Sequence, residues 1–317
     1  MKVIEHLARA TRPLISYEII PPLRGGTLRS LLELIEDLVP YAPPFIDITS
    51  HAAEVVYEEG PSSIERKVKR KRPGTLGVCA LIQNKYDIDA VPHILCNGFT
   101  REETEDALIE LKYLGIENVL AVRGDDSGYV KPLRDGRTAN RYALELVQQI
   151  CDMNRGRYLE KELLDADRSD FCVGISGYPE KHFEAPNLQT DITWTKRKVE
   201  AGADYIVTQM FFDNRHYYQY VEQCRAAGID VPIIPGLKIV TTRSHLTSLP
   251  ANFHVDIPPE LSDEVATAKD AAEVREIGVE WALRQTEDLL AHGASSIHFY
   301  IMQSSQAIKM LMERLKL

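Results

Sequence analysis

Near the N-terminus one acidic residue interrupts an apolar run: Glu18 stands among Ile15, Tyr17, Ile19 and Ile20. In a strand of that sequence its carboxylate points inward, where it is costly to bury unless it is paired or used. Desolvation would raise its pKa toward that of a useful general acid. The structural alternative is a carboxylate paired with an interior Lys or Arg. A second chemical cluster is Arg123-Gly124-Asp125-Asp126, where both signs of charge flank a glycine that lets a ligand approach the backbone; a plain turn has the same composition. Thr49-Ser50-His51 follow another apolar run, and Gln209 precedes Met210-Phe211-Phe212-Asp213. An amide beside aromatics suits the edge of a flat heterocycle, and equally the polar interior of a barrel. His93 after Pro92, and Tyr178-Pro179-Glu180-Lys181-His182, add titratable groups. None of the nine histidines pairs with a neighbour at metal-ligand spacing, so no metal is expected. A G-x-S-x-G elbow, a P-loop and a Cys–His nucleophile arrangement are all lacking.

These residues sit at or just past the ends of short β-rich runs, which places them on one face of an α/β fold. Strands are expected at 14–20, 45–49, 75–82, 118–122, 171–176, 204–209, 232–237 and 296–301. Several are continuous apolar runs, as when both faces of a strand are covered. Helical periodicity fills the intervals at 27–39, 101–114, 189–201, 215–227 and 267–291. Thr100 before Glu102 and Glu103 has the form of an N-cap with an acidic first turn. Gly115, Gly202, Gly228 and Gly293 each fall between a helix and the next strand, where a left-handed residue is wanted. The pattern predicts an α/β fold, a (β/α)₈ TIM barrel, in a single domain over 1–317. Two long intervals, a polar one near 154–170 and one near 250–266, read as rim insertions. A doubly wound sheet is the competing architecture, but Pro21-Pro22 occupies the place of its glycine-rich first turn.

Composition sets the outer limits. The 317 residues are 44% hydrophobic and 26% charged, with a formal charge of −10. A deficit of Lys and Arg argues against nucleic-acid binding. The run Arg66-Lys67-Val68-Lys69-Arg70-Lys71-Arg72 before Pro73-Gly74 reads as the solvated end of a helix, with a phosphate-binding patch as the alternative. Neither a signal peptide nor an apolar span of about 20 residues is seen. The five cysteines are widely spaced and contain no C-x-x-C pair. A cytoplasmic protein with inert thiols, no membrane partner and no appended regulatory domain is expected.

The same strand ends resemble the methylenetetrahydrofolate reductase family over nearly the whole chain. Ser16-Tyr17-Glu18-Ile19-Ile20-Pro21-Pro22 is similar to the family's S-F-E-F-F-P-P, and Ala121-Val122-Arg123-Gly124-Asp125 to its A-L-R-G-D. Lys196-Arg197-Lys198-Val199, Ala201-Gly202-Ala203 and Thr208-Gln209-Met210-Phe211-Phe212-Asp213 follow in order, then Ile234-Pro235-Gly236 and His298-Phe299-Tyr300.

The resemblance implies a non-covalent FAD held by Thr49, Ala52, His93, Arg123, Gly124, Asp125, Ala143, Tyr178, His182, Ala185, Asp191, Arg197 and Lys198. In it Arg197, Lys198, His93 and His182 would neutralise the pyrophosphate, and Asp125 would tune the flavin's redox behaviour. It further implies reduction of 5,10-methylenetetrahydrofolate to 5-methyltetrahydrofolate with NADH or NADPH, in one-carbon and methionine metabolism. Glu18 would be the general acid, with Asp125 and Gln209 holding the pterin edge. Thr49, His245 and Leu249 would complete the substrate side, and a homo-oligomer is implied. Leu249 replaces an aromatic of the family pattern, His245 a Gln, Ser304 an Arg, Trp194 an Asn and Ser50 a Tyr. Two other readings stay open: an FAD-linked barrel oxidoreductase acting on another C–N substrate, and a non-catalytic flavin- or folate-binding subunit.

Overall fold

The computed structural model of the chain describes every residue except 61–62, 73, 126–127, 164 and 316–317. Pro73, Asp126 and part of the 154–170 interval therefore lie outside the described residues. In chain order the elements begin α1 (Val3–Arg9), β1 (Leu14–Ile19), α2 (Leu28–Leu38), β2 (Phe45–Ile48), β3 (Glu54–Glu59), β4 (Ile64–Lys69), α3 (Leu76–Tyr86), β5 (Asp89–Leu95), α4 (Arg101–Tyr113) and β6 (Asn118–Val122). They continue α5 (Ala143–Asn154), β7 (Cys172–Gly177), α6 (Leu188–Glu200), β8 (Tyr205–Thr208), α7 (Asn214–Ala226), β9 (Ile233–Ile234) and β10 (Gly236–Leu237). The last are α8 (His245–Phe253), α9 (Pro259–Thr267), α10 (Ala271–Ala291), β11 (Ser296–Met302) and α11 (Gln306–Arg314).

The main sheet is parallel, in the order β10-β11-β1-β2-β5-β6-β7-β8-β9. β9 and β10 are two halves of one strand divided at Pro235, which has no N–H to give to a ladder. β9 pairs with β8 and β10 with β11, so the ends of the sheet meet at this strand. Across the break the Gly236 N–H donates to Thr208 Oγ1 at 2.9 Å, and the His298 N–H to the Pro235 carbonyl at 2.9 Å. Eight strand positions ringed by helices form the expected (β/α)₈ barrel.

Alternation along the strands sorts the side chains. Ile15, Tyr17 and Ile19 of β1 join the main core between strands and helices, which turns Ser16 and Glu18 inward. Inside, a lower apolar layer of Phe45, Val91, Leu120, Cys172, Tyr205, Val207 and Ile234 is closed from below by Val3, Ile4 and Leu7 of α1. Buried polar residues occupy the interior above it: Ser16, Glu18, Asp47, His93 and His298. Gly115 and Gly228 end α4 and α7 at φ +70° and +79°, as their spacing predicts.

Two expectations need correction. Residues 75–82 form helix α3, not a strand, and the third barrel strand is β5, which contains Pro92 and His93. A short apolar run carries no decisive period, and TLGVCALI buries Cys79 and Ile82, three apart, on one face. The basic run is no helix end: Ile64–Lys69 pairs antiparallel with Glu54–Glu59, and Glu58 binds both Lys67 and Lys69. Glu65, Lys67 and Lys69 share one face of this strand and Ile64 and Val68 the other, an alternation that the intervening Arg66 and the concentration of cations obscured. The interval 250–266, by contrast, is largely helical, holding the end of α8 and most of α9. It builds a small rim core in which Leu249, Val255, Leu261 and Val265 pack with Met210 and Phe212. The 154–170 interval precedes β7 and so lies at the end of the barrel opposite the strands' carboxyl ends.

α10 reaches the barrel at Gly278, where an added Cβ would meet the Val240 carbonyl oxygen at 1.8 Å. Gly278→Ala should therefore destabilise the fold by about 1–3 kcal/mol through overpacking, despite a helix-propensity gain of up to about 1 kcal/mol. Urea unfolding with an unchanged m-value measures this; a neutral or stabilised variant contradicts the close approach.

Candidate active site

β1, β2, β5 and β11 lie side by side, and each turns polar residues inward near its carboxyl end. Register sets Glu18 beside Asp47 on one side and beside Tyr300 on the other, with Ser16 beside His298. The Thr49 hydroxyl donates to Glu18 Oε1 at 2.7 Å. His93 Nε2 lies 3.5 Å from Glu18 Oε2 and 3.7 Å from Asp47 Oδ2, and His298 Nε2 lies 3.9 Å from Glu18 Oε2. His298 Nδ1 is hydrogen-bonded to Ser16 Oγ at 2.9 Å. Glu18 is 7% exposed and Asp47 fully buried, so two carboxylates share an interior with two imidazoles.

The electrostatics invert the expectation for Glu18. Burial pushes its carboxyl up, but His93, His298 and the Thr49 hydroxyl together outweigh burial and hold it at about 2. Burial pushes His93 down, and the Glu18 and Asp47 carboxylates overcome that, so its proton is held more tightly than in an ordinary histidine. The pair therefore favours an anionic Glu18 beside a protonated His93. Lys238, just past β10, donates to the Tyr300 carbonyl at 2.6 Å. Burial lowers it to about 8 against the attraction of Glu18. Burial and the nearby Lys238 push His245 down to about 4, and its Nδ1 accepts the Thr241 N–H at 3.2 Å.

A second group lines the neighbouring strand ends. Arg123 grips Glu184 through two bonds of 2.6 and 3.1 Å. Asn97 donates to the Gly124 and Asp125 carbonyls at 2.9 and 3.2 Å, which holds the turn with Gly124 at φ +84° and the Asp125 side chain exposed. Tyr178 meets His182 edge-on at 4.7 Å, and Asp191 accepts the His182 N–H at 2.9 Å. The Ala185 N–H closes the same turn onto the His182 carbonyl. Lys198 donates to the Ser176 carbonyl at 3.2 Å; burial lowers its pKa while Asp191 opposes the shift. Arg197 is exposed, with its guanidinium 4.6 Å from the ring of Trp194. Ala143 opens α5, and Ala52 packs where a Cβ on Gly98 would stand, 2.8 Å away.

The fold thus gathers Glu18, Thr49 and His93 in one network, which Lys238 connects to His245. Arg123, Tyr178, His182, Asp191 and Lys198 form the second wall. Gln209 folds back so that its Oε1 accepts the Met210 N–H at 3.0 Å, and Leu249 is buried in the rim core. A cavity of about 500 Å³ opens beside the second wall, between Glu180, Phe183, His216 and His254, rather than over Glu18. Among the described residues no His, Cys, Asp and Glu cluster could hold a metal ion. Sequence reasoning passed over Asp47, Lys238 and the buried role of His298. Asp47 alternates with inward Phe45 and Lys238 stands at a strand's carboxyl end, and those signals would have found both. What the arrangement offers is a buried proton-holding network beside a cationic wall.

Residues 3–316 match the family model described as methylenetetrahydrofolate reductase. The chain belongs to the methylenetetrahydrofolate reductase family. It is similar to methylenetetrahydrofolate reductase 1 of Schizosaccharomyces pombe, at 32% identity over 309 residues, 95% of this chain and 46% of that relative. Methylenetetrahydrofolate reductase (NADH) 1 of Arabidopsis thaliana is 31% identical over 326 residues, 98% of this chain and 50% of the relative. The chain spans about half the length of these relatives. Among solved structures, an uncharacterized Clostridium thermocellum protein that binds two copies of 5-methyl-5,6,7,8-tetrahydrofolic acid has the same fold, with a TM-score of 0.59 at 13% identity. That likeness covers 98% of this chain and 96% of the other. Family membership bears out the resemblance carried by the strand-end motifs.

Because the Glu18 anion is the largest influence raising the His93 pKa, Glu18→Gln should let His93 lose its proton at lower pH than in the native protein. Imidazole NMR titration reads this directly, and an unmoved His93 titration would contradict the network.

Proposed function

We propose that the chain reduces 5,10-methylenetetrahydrofolate to 5-methyltetrahydrofolate, with NADH or NADPH as the hydride donor and a non-covalent FAD. The observation that carries the reading is Glu18: a buried carboxylate at the barrel mouth, in hydrogen-bond contact with Thr49 and 3.5 Å from a histidine whose pKa it raises, in a chain of this family.

The residues present fit a flavin dinucleotide. Lys198 is a partly buried cation with Asp191 as its attracting anion, and Arg123 and His182 stand on the same wall. Such a donor set suits a pyrophosphate without a glycine-rich loop. Gly124, at positive φ, lets that turn pack closely against Leu95 and Asn97 on the same wall. When bound, FAD supplies the centre that accepts a hydride from the nicotinamide and returns it to the folate.

The chain's own residues manage the proton and the pose. Once substrate is bound, Glu18 takes a proton from His93 across the 3.5 Å gap and passes it to the folate nitrogen whose protonation opens the imidazolidine ring. The low pKa of Glu18 makes that step depend on the substrate: a ring covering Thr49 takes the carboxylate further from water and moves the proton from His93 toward Glu18. Gln209 must leave its Met210 contact to hold the pterin edge, and Asp125, exposed on its turn, is free to meet it. The lower apolar layer of the barrel keeps water away from below.

Purified protein should show flavin absorbance and oxidise NAD(P)H with the folate or with menadione. Glu18→Gln should lower folate reduction by about 10²-fold or more while nicotinamide oxidation with menadione stays within about twofold. Equal survival of both activities would remove Glu18 from the acid role. A colourless protein inert to both nucleotides would favour a binding subunit instead.

A further inference from the structure

On the strands' carboxyl-end face, a separate cavity of about 140 Å³ lies between the loop after β10, the start of α11 and the second turn of α10. Its polar lining is Lys238, Thr241, Thr242, Arg275, Ser304 and Gln306, and among the described residues no acidic side chain lines it. Arg275 makes no ion pair or side-chain hydrogen bond among the described residues, and the adjacent Glu276 is taken by Arg314. Lys238 spends one donor on the Tyr300 carbonyl and faces Glu18 on its inner side, with two donors left over. The Thr241 and Ser304 hydroxyls and the Gln306 amide also lack hydrogen-bond partners among the described residues. The first turn of α11 borders the same space, and its N-cap Ser305 turns its hydroxyl away to Asp37.

Two cations without a lining acid, surrounded by spare donors, make a positive cavity whose complement is an oxyanion. Size narrows the choice further. At about 30 Å³ per water-sized group, the space holds roughly four or five heavy atoms. That suits a phosphate or a carboxylate better than a fused heterocycle, whose pockets run to about 300 Å³ or more. The loops after the last two barrel strands, with the N-terminus of a short helix, are also a frequent place for phosphate in this architecture.

We propose that this cavity is an oxyanion site, with Arg275 and Lys238 as its cationic walls, taking a phosphate or carboxylate group. Lys238 joins it to the Glu18 network, so an anion here sits at the edge of the barrel mouth. If the function proposed above holds, the anion belongs either to a nucleotide phosphate or to the glutamate carboxylates of the folate; that assignment alone rests on the functional reading.

The probe is inorganic phosphate, titrated into the native protein at constant ionic strength and followed by calorimetry and thermal unfolding. Phosphate should bind and raise the melting temperature. Arg275→Met should weaken that binding by about tenfold or more. Thr241→Val, which keeps both cations, should weaken it less and guards against a misfolded Arg275 variant. Absence of phosphate binding in the native protein, or unchanged binding in both variants, overturns the site. The source is then read from KM in Arg275→Met. A rise for NADPH alone assigns its 2′-phosphate, a rise for both nucleotides assigns their shared pyrophosphate, and a rise for the folate assigns its carboxylates. Unchanged KM values with lost phosphate binding assign a free oxyanion. Phosphate binding without any reductase activity would end the functional reading and leave this site standing.

Discussion

The arrangement of the barrel mouth depends on one buried carboxylate. Glu18 cannot be held as an anion in an apolar strand unless its neighbours replace the water it has lost. Here that replacement is specific: a Thr49 hydroxyl at 2.7 Å and two imidazoles at 3.5 and 3.9 Å. His93 in turn is shared with Asp47, and His298 is oriented by Ser16. Removing any member leaves another polar group buried with fewer partners, so four strands are tied to one another through charge as well as through the ladder.

This constraint explains which parts of the protein were readable from residues alone. The inward direction of Glu18 follows from alternation in a six-residue strand, and the barrel follows from repeated helix–glycine–strand units. The state of Glu18 was not readable, because the groups that set it arrive from β2, β5 and β11, far away in sequence. Local reasoning saw the desolvation and missed the imidazoles. The same limit applies to α3: TLGVCALI suits either period, and only the neighbouring β5, with an unpromising Pro92, shows which segment the barrel uses. The basic hairpin strand was misread for a related reason, since its pairing partner is the acidic segment that precedes it.

The two walls of the site carry different kinds of information. The Arg123–Lys198 wall was found through ordered motifs, and its residues do come together, with Arg197 and Asp125 left at the surface. The other wall departs from the family pattern at His245, Leu249 and Ser304, and there the structure supplies what motifs did not. Leu249 is committed to a rim core with Met210 and Phe212. His245 takes its electrostatic character from Lys238. Ser304 lies in a cavity where Lys238 and Arg275 provide the positive charge. Positive charge has a place on this side of the barrel although Ser304 itself carries none.

The central claim is that Glu18 is an anion stabilised by interior imidazoles rather than a neutral acid raised by burial. Infrared difference spectroscopy between the native protein and Glu18→Gln at about pH 4, where an ordinary glutamate is mostly protonated, tests it most directly. The native protein should contribute the bands of an ionised carboxylate for this residue. A neutral carboxylic acid carbonyl band in their place would contradict it.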